Sequence, residues 1–299
     1  MKNVKRIVNY WCDDTMSKRF LGQGIGVAIL DTGISYHPDF DKRIICFKDA
    51  LYGKKKIYDD NGHGTHVSGI IGGNGYLSSG MYAGMAPFSN IVSVKILDSN
   101  GNGCIKNVIA GIYWILDHYK RYKIRIINIS IGTKEHRKNK EEEKLLNAVE
   151  ALWDEGLIVT ASAGNYGPQE RSITVPGVSK KIITVGALND PDQEALNYSG
   201  RGPTMECVIK PDLIAPGTFV TSCNGNYKKS NKTYITKSGT SMATPVVSGA
   251  IAVLLSKYPD MTNVEVKLKL RDSCVDMGEN RNCQGWGLLN VKELLKNNF

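Results

Sequence analysis

A serine stands between two threonines in GTSMATP (239–245), directly after a glycine and directly before VVSGAIAVLLSKY. The run that follows is apolar almost all round a helical wheel, as a buried helix requires. A serine at such a place can cap the helix by accepting a hydrogen bond from a free backbone N–H. It can also be a nucleophile, provided other residues supply what a hydroxyl lacks. Serine needs a base to take its proton, and an imidazole serves because its pKa lies near neutrality. The imidazole in turn needs a carboxylate to fix its tautomer and to stabilise the cation it becomes. The attacked carbonyl turns into an oxyanion and needs donors aimed at it.

Each part has a candidate. Asp31 closes the apolar segment IGVAILD (25–31), and His63 lies in DDNGHGTHVSGIIGG (59–73), where a helix is expected to start at Asp60 or Asn61. Asn165 closes LIVTASAGN and offers a side-chain amide. The N–H of Ser241, at a helix N-terminus, offers a second donor in the favourable field of the helix dipole. His63 and His66 are three apart and could instead share a metal. The zinc-protease pattern needs H-E-x-x-H, however, and the intervening pair here is Gly64-Thr65. No metal ligand set is therefore assigned, and His66 reads as structural.

These residues need a scaffold that brings distant segments together. Short apolar runs at 25–31, 90–97, 124–132, 157–165 and 182–188 read as buried strands. Helical patterns at 106–122 and 144–156 lie between them, the second stopped by Gly156. Strand–helix alternation implies an α/β fold with a mostly parallel β-sheet and helices on both faces. In such sheets ligands bind beyond the carboxyl ends of the strands. Asp31, Ser130, Gly132 and Asn165 all fall at such ends.

Bulk composition narrows the function classes. The chain has 299 residues, 41% hydrophobic and 22% charged, enough for a sizeable core. Its formal charge is +9, but the basic residues are scattered through KNVKR, GKKKI, HYKRYK and KEHRKNKEEEK, without a stacking-aromatic motif. Nucleic acid is not expected as a partner; the charge reads as a solvated surface that could steer acidic substrates. No run of about 18 uncharged apolar residues is apparent, so no membrane span is expected. The odd count of seven cysteines, without paired spacing, argues against a disulfide framework, although Cys274 and Cys283 could pair across a loop. No signal peptide is visible in MKNVKRIVNYWCDDTMSKRF, so the expected compartment is the cytoplasm, with secretion after processing of a longer precursor as the alternative. The glycines of GQGIG (22–26) precede a strand rather than follow it, unlike a dinucleotide-binding loop.

DTG (31–33), HGTH (63–66), SAGN (162–165) and GTSMATP (239–245), in that order, resemble the subtilisin-like serine proteases (subtilases, peptidase family S8). YAGMAP (82–87), NISIG (128–132), YSGRGPT (198–204) and KPDLIAPG (210–217) strengthen the resemblance, and the motifs are most similar to the intracellular AprX-type branch. It extends from about Gly24 to about Asn290, which implies an N-terminal extension over 1–23 and a subtilisin-like catalytic domain of three-layer architecture over 24–299. By resemblance the chain is a serine endopeptidase acting through an acyl-enzyme. Ser241 is then the nucleophile, His63 the base and acid, Asp31 the residue that orients it, and Asn165 an oxyanion donor.

The resemblance also implies a peptide or protein substrate held extended between two backbone edges. The matching segments are Gly101-Asn102-Gly103 and Ser130-Ile131-Gly132, with Ile105 and Val108 as a distal apolar subsite. The pocket for the residue before the cut is implied to lie between Ser130–Gly132 and Ser162-Ala163-Gly164. Thr174 falls at its floor and should favour small or medium apolar residues. No cofactor is expected: GGNGYLSSGMYAG, after the HGTH helix, lacks the calcium-ligand series of many secreted relatives, so calcium has no strong site there. The alternative to an enzyme is a non-cleaving or autoinhibited peptide-binding protein on the same scaffold, with residues 1–23 lying across the cleft.

Overall fold

The computed structural model describes residues 1–134, 139–188 and 197–297; part of the KEHRKNKEEEK block lies outside them. Seven strands form one sheet in the order β2-β3-β1-β4-β6-β8-β9. They are β1 (Gly26–Asp31), β2 (Ile44–Asp49), β3 (Asn90–Lys95), β4 (Ile124–Ile129), β6 (Ile158–Ser162), β8 (Ile183–Ala187) and β9 (Leu213–Ala215), and every neighbouring pair is parallel. The chain builds outward from β1 in both directions, so β1 and β4 flank the switch point where such sheets bind ligands.

Alternation along β1 shows why both faces are covered. Val27 and Ile29 pack into one apolar cluster with α3 (His63–Gly72), α6 (Thr240–Lys257), α7 (Asn263–Ser273) and α9 (Val291–Leu294). Ala28 and Leu30 pack into the other, with α4 (Ile105–His118) and α5 (Lys140–Asp154). Both faces being buried, the strands read as continuous apolar runs rather than alternating ones. The antiparallel hairpin of β10 (Val220–Cys223) and β11 (Tyr234–Lys237) leads into α6. A two-residue pair, β5 (Thr133–Lys134) with β7 (Thr174–Val175), extends the rim beside β4.

Helix α6 is 18 residues long and apolar enough to cross a bilayer, contrary to the expectation that no segment would be, but most of it is buried against the sheet. Residues 1–23 do not cross the cleft. Met1, Val4, Val8 and Tyr10 join the first cluster, Tyr10 Oη donates to the Met85 carbonyl at 2.7 Å, and Val291 N donates to the Val8 carbonyl at 2.8 Å. All seven cysteines are free thiols, Cys274 and Cys283 included.

A buried polar knot fastens α6 to the sheet. Ser248 Oγ donates to Asn128 Oδ1 at 2.8 Å and lies 2.7 Å from Thr160 Oγ1, while Asn128 Nδ2 donates to Ser130 Oγ at 2.8 Å. Removing one partner from such a knot strands the others away from water. Ser248→Ala is expected to cost about 1–3 kcal/mol of unfolding free energy, read as a lower urea midpoint at unchanged slope; a loss within error of zero would contradict this role.

Candidate active site

The site begins where α3 meets the carboxyl end of β1. Asp31 is the last residue of β1 and His63 the first of α3. A side chain on Gly64 would place its Cβ 2.2 Å from the Gly33 carbonyl oxygen and 3.2 Å from Asp31 Cβ, so glycine is what lets the helix start close on the strand end. The helix starts later than expected, at His63 with Gly62 before it; Asn61 Oδ1 accepts only the first N–H, that of His63, at 3.2 Å. Asp59 does more of this work: its carboxylate accepts from Gly62 N (2.7 Å), Thr65 N (2.9 Å), Thr65 Oγ1 (2.6 Å) and Thr32 Oγ1 (2.8 Å). Burial opposes its charge, yet these hydrogen bonds prevail and hold its pKa below the ordinary carboxylate value. Thr32 Oγ1 in turn accepts from Gly64 N at 2.9 Å. The two threonines of DTG and HGTH are thus tied together by a carboxylate that the sequence patterns did not single out.

His63 Nδ1 lies 2.7 and 2.9 Å from the two carboxylate oxygens of Asp31. Asp31 is 1% exposed at its side chain and His63 23%, so the carboxylate is enclosed while the imidazole edge meets solvent. The contact puts the proton on Nδ1 and leaves the Nε2 lone pair free to act as a base. Burial pulls the imidazole pKa down, but the charge of Asp31 and its hydrogen bond outweigh burial, and the net shift is upward. His66 behaves oppositely: its Nε2 sits 3.1 Å from the carbonyls of both Val220 and Ile235, and burial, first, drives its pKa down to about 3. The two imidazoles face different partners, His63 a carboxylate and His66 two backbone carbonyls.

Ser241 follows Gly239 and Thr240 into α6. It does not cap that helix: its Oγ donates to the Ser130 carbonyl at 2.8 Å. Asn165 Oδ1 accepts from Thr240 N and Thr240 Oγ1, both at 2.9 Å, which leaves the Asn165 NH₂ as the end of the amide that can donate elsewhere. Met242 N is bonded to the Gly239 carbonyl, whereas Ser241 N has no partner among the described residues. Asn165 and Ser241 line the same cleft, so one side-chain amide and one backbone N–H are available there to a developing anion. Among the described residues no hydrogen bond joins Ser241 Oγ to His63; such bonds commonly form only when substrate is bound.

His63 and Ser241 line one cleft of about 500 Å³, which Asn165, Gly101, Ser130, Ile131, Gly132, Ser162 and Gly164 also line. Thr32, Asn61, Leu97, Asn100, Tyr166 and Thr240 complete the wall. Sequence reasoning did not select these six, although each adjoins or lies within a segment it used. Asn102, Gly103, Ile105, Val108, Ala163 and Thr174 do not line that cleft. Val108 is a core residue of α4, and Ile105 packs half-buried beside it. Thr174 stands behind the wall: a Cβ on Gly132 would come within 2.1 Å of its Oγ1, and one on Gly164 within 2.4 Å of its Cγ2.

A parallel sheet whose strand ends meet two helix starts in this way is the architecture of the subtilisin-like serine endopeptidases. The chain belongs to the subtilase family (peptidase S8), whose model matches residues 22–287. It is 40% identical to the serine protease AprX and 34% identical to the minor extracellular protease Epr, both of Bacillus subtilis (strain 168), each over 91% of its own length. It spans 66% of the length of AprX and 38% of that of Epr. A solved cold-adapted subtilisin-like serine proteinase superposes with a TM-score of 0.74 at 28% identity, over 91% of this chain and 90% of that one.

The upward shift of His63 has a measurable consequence. A base must be neutral, so activity is lost as pH falls through the imidazole pKa. The acid limb of kcat/KM is expected to have its midpoint above the ordinary histidine value of 6.5. A midpoint below 6.5 would show that Asp31 does not hold the imidazole as described.

Proposed function

We propose that this chain is a serine endopeptidase that cleaves extended peptide segments through Asp31, His63 and Ser241. The observation that carries the reading is the Asp31–His63 contact at 2.7 Å in the same cleft as the Ser241 hydroxyl. His63 Nε2 takes the Ser241 proton as Oγ attacks the scissile carbonyl carbon. The carbonyl oxygen becomes an anion held by Asn165 Nδ2 and Ser241 N–H. Collapse of this intermediate breaks the C–N bond, and His63 gives its proton to the leaving amine. Water then repeats the sequence on the acyl-enzyme and releases the carboxylate product. Asp31 orients the imidazole and stabilises the imidazolium that forms.

Peptide binding and serine release are coupled in this reading. Ser130 supplies both the acceptor that parks Ser241 Oγ and one backbone edge for the peptide. A peptide N–H arriving at that edge competes for the Ser130 carbonyl and frees the hydroxyl to turn toward His63. The pocket before the cut lies between Ser130–Gly132 and Ser162–Gly164, and Thr174, wedged between Gly132 and Gly164, shortens it. Seven free thiols suit a reducing compartment, which supports a cytoplasmic enzyme.

The deciding experiment treats wild type and Ser241→Ala with a fluorophosphonate and with a mixed peptide library. Labelling and cleavage by wild type alone are expected; a folded wild type that takes no label overturns the reading in favour of a peptide-binding scaffold. In the same assay Asn165→Ala is expected to lose about 100–1000-fold in kcat, the loss known for the equivalent donor in subtilisin, with KM little changed. Thr174→Gly is expected to shift the preferred residue before the cut from small or medium apolar toward Phe and Tyr, and a wild type that already prefers aromatics refutes the role given to Thr174.

A further inference from the structure

We propose that His37, Asp39 and Cys223 form a ready-made site for one borderline-soft divalent cation, of which zinc is the type. His37 and Asp39 flank the tight turn Pro38–Phe40 after β1, and Cys223 ends β10. All three are buried, and one donor atom from each lies within 4.8 Å of the others. His37 Nδ1 is 3.6 Å from Asp39 Oδ1, and Cys223 Sγ is 3.7 Å from Asp39 Oδ2. Ligand atoms around a tetrahedral zinc stand roughly 3.3–3.6 Å apart, given bond lengths of about 2.0–2.3 Å. The two Asp39 spacings are close to that, and the third pair, His37 with Cys223, lies within 4.8 Å.

The outer contacts are those a ligating set needs. Asp39 N donates to His37 Nδ1 at 3.2 Å and His37 Nε2 lies 3.1 Å from the Thr233 carbonyl. The ring proton is therefore on Nε2, bound to a carbonyl as in ligating histidines, and the Nδ1 lone pair, which now accepts from Asp39 N, exchanges that bond for the metal. Asp39 is oriented by Tyr234 Oη at 2.8 Å and Leu77 N at 3.1 Å. Arg43 is the nearby cation, and its guanidinium is spent on the carbonyls of Asp39, Gly72 and Ser89. A surface hollow of about 580 Å³ lies beside His37, lined also by Tyr36, Asn74 and Tyr227, while the side chains of His37 and Asp39 are themselves enclosed.

Binding replaces one proton. The Cys223 S–H bond, now directed at Asp39 Oδ2, breaks as the S–metal bond forms, and the proton leaves to solvent. Thiolate and carboxylate then neutralise the dication. One sulfur, one imidazole nitrogen and one carboxylate select zinc, cobalt or related ions against calcium and magnesium, which take oxygen. The ion would staple the turn after β1 to the β10–β11 hairpin that His66 supports, and so brace both approaches to the triad.

The test uses full-length protein carrying Ser241→Ala to suppress self-digestion, titrated with Co²⁺ as a coloured stand-in for zinc. Expected are one Co²⁺ per chain, a near-ultraviolet thiolate-to-cobalt band with tetrahedral visible bands, release of one proton, and displacement by Zn²⁺. Cys223→Ser should abolish the thiolate band, and His37→Gln should weaken binding at least about tenfold, each with an unchanged circular dichroism spectrum. No thiolate band in the parent, or a band that survives Cys223→Ser and so arises from another thiol, overturns the proposal. If Cys223→Ser does not fold, unchanged Co²⁺ affinity in His37→Gln overturns it instead. None of these readouts depends on peptide cleavage.

Discussion

The contact between Asp31 and His63 is the constraint around which the rest of the molecule is arranged. It requires a helix N-terminus to arrive, within hydrogen-bonding distance, at the carboxyl end of the central strand. Two backbones can approach so closely only where a side chain is missing, which places glycine at 64 against the Gly33 carbonyl. The approach also buries polar groups, and each must find a partner. Asp59 gathers the N–H groups at the start of α3, Thr32 bridges strand to helix, and Lys95 lies buried beneath them. Lys95 Nζ donates to the carbonyls of Thr32 and Leu97 and to Asp60, at 2.6, 2.7 and 2.6 Å. A buried lysine with three acceptors is well satisfied, and through the Thr32 carbonyl it fixes the backbone next to Asp31.

The serine is positioned by different means. Helix α6 runs through the core with apolar residues all round, so little in its own periodicity sets its rotation. The Asn128–Ser248–Thr160 knot supplies that register, because a hydrogen-bonded polar group in a dry interior admits few alternatives. Asn128 also reaches Ser130, whose carbonyl receives Ser241 Oγ, so one network links helix rotation, the backbone edge of the cleft and the resting serine. At the helix mouth, Thr240 uses Asn165 Oδ1 and thereby decides which end of that amide faces the cleft.

Two histidines three residues apart on one helix show how environment divides identical chemistry. His63 keeps one edge in solvent and one on a carboxylate, and its pKa rises. His66 is enclosed beneath the β10–β11 hairpin, bonded only to carbonyls, and stays neutral across the physiological range. The first presents an edge to the cleft; the second holds the hairpin on the helix.

Much of this was legible in the sequence. The alternation of apolar runs with helical patterns determined a parallel α/β sheet covered on both faces, because two-face burial leaves strands without polar alternation. The order of the DTG, HGTH, SAGN and GTSMATP segments singled out Asp31, His63, Asn165 and Ser241, and the fold brings the last three to one cleft with Asp31 enclosed against His63. Other features depended on contacts between segments far apart in the chain. The role of Asp59, the amide orientation of Asn165, the parking of Ser241 on Ser130 and the wedge of Thr174 between two glycines belong here. So does the meeting of His37 and Asp39 with Cys223 across 184 positions. Periodicity and local motifs report which face a residue presents to its own element; they carry no information on which polar partner waits there, and that partner sets tautomer, rotamer and pKa.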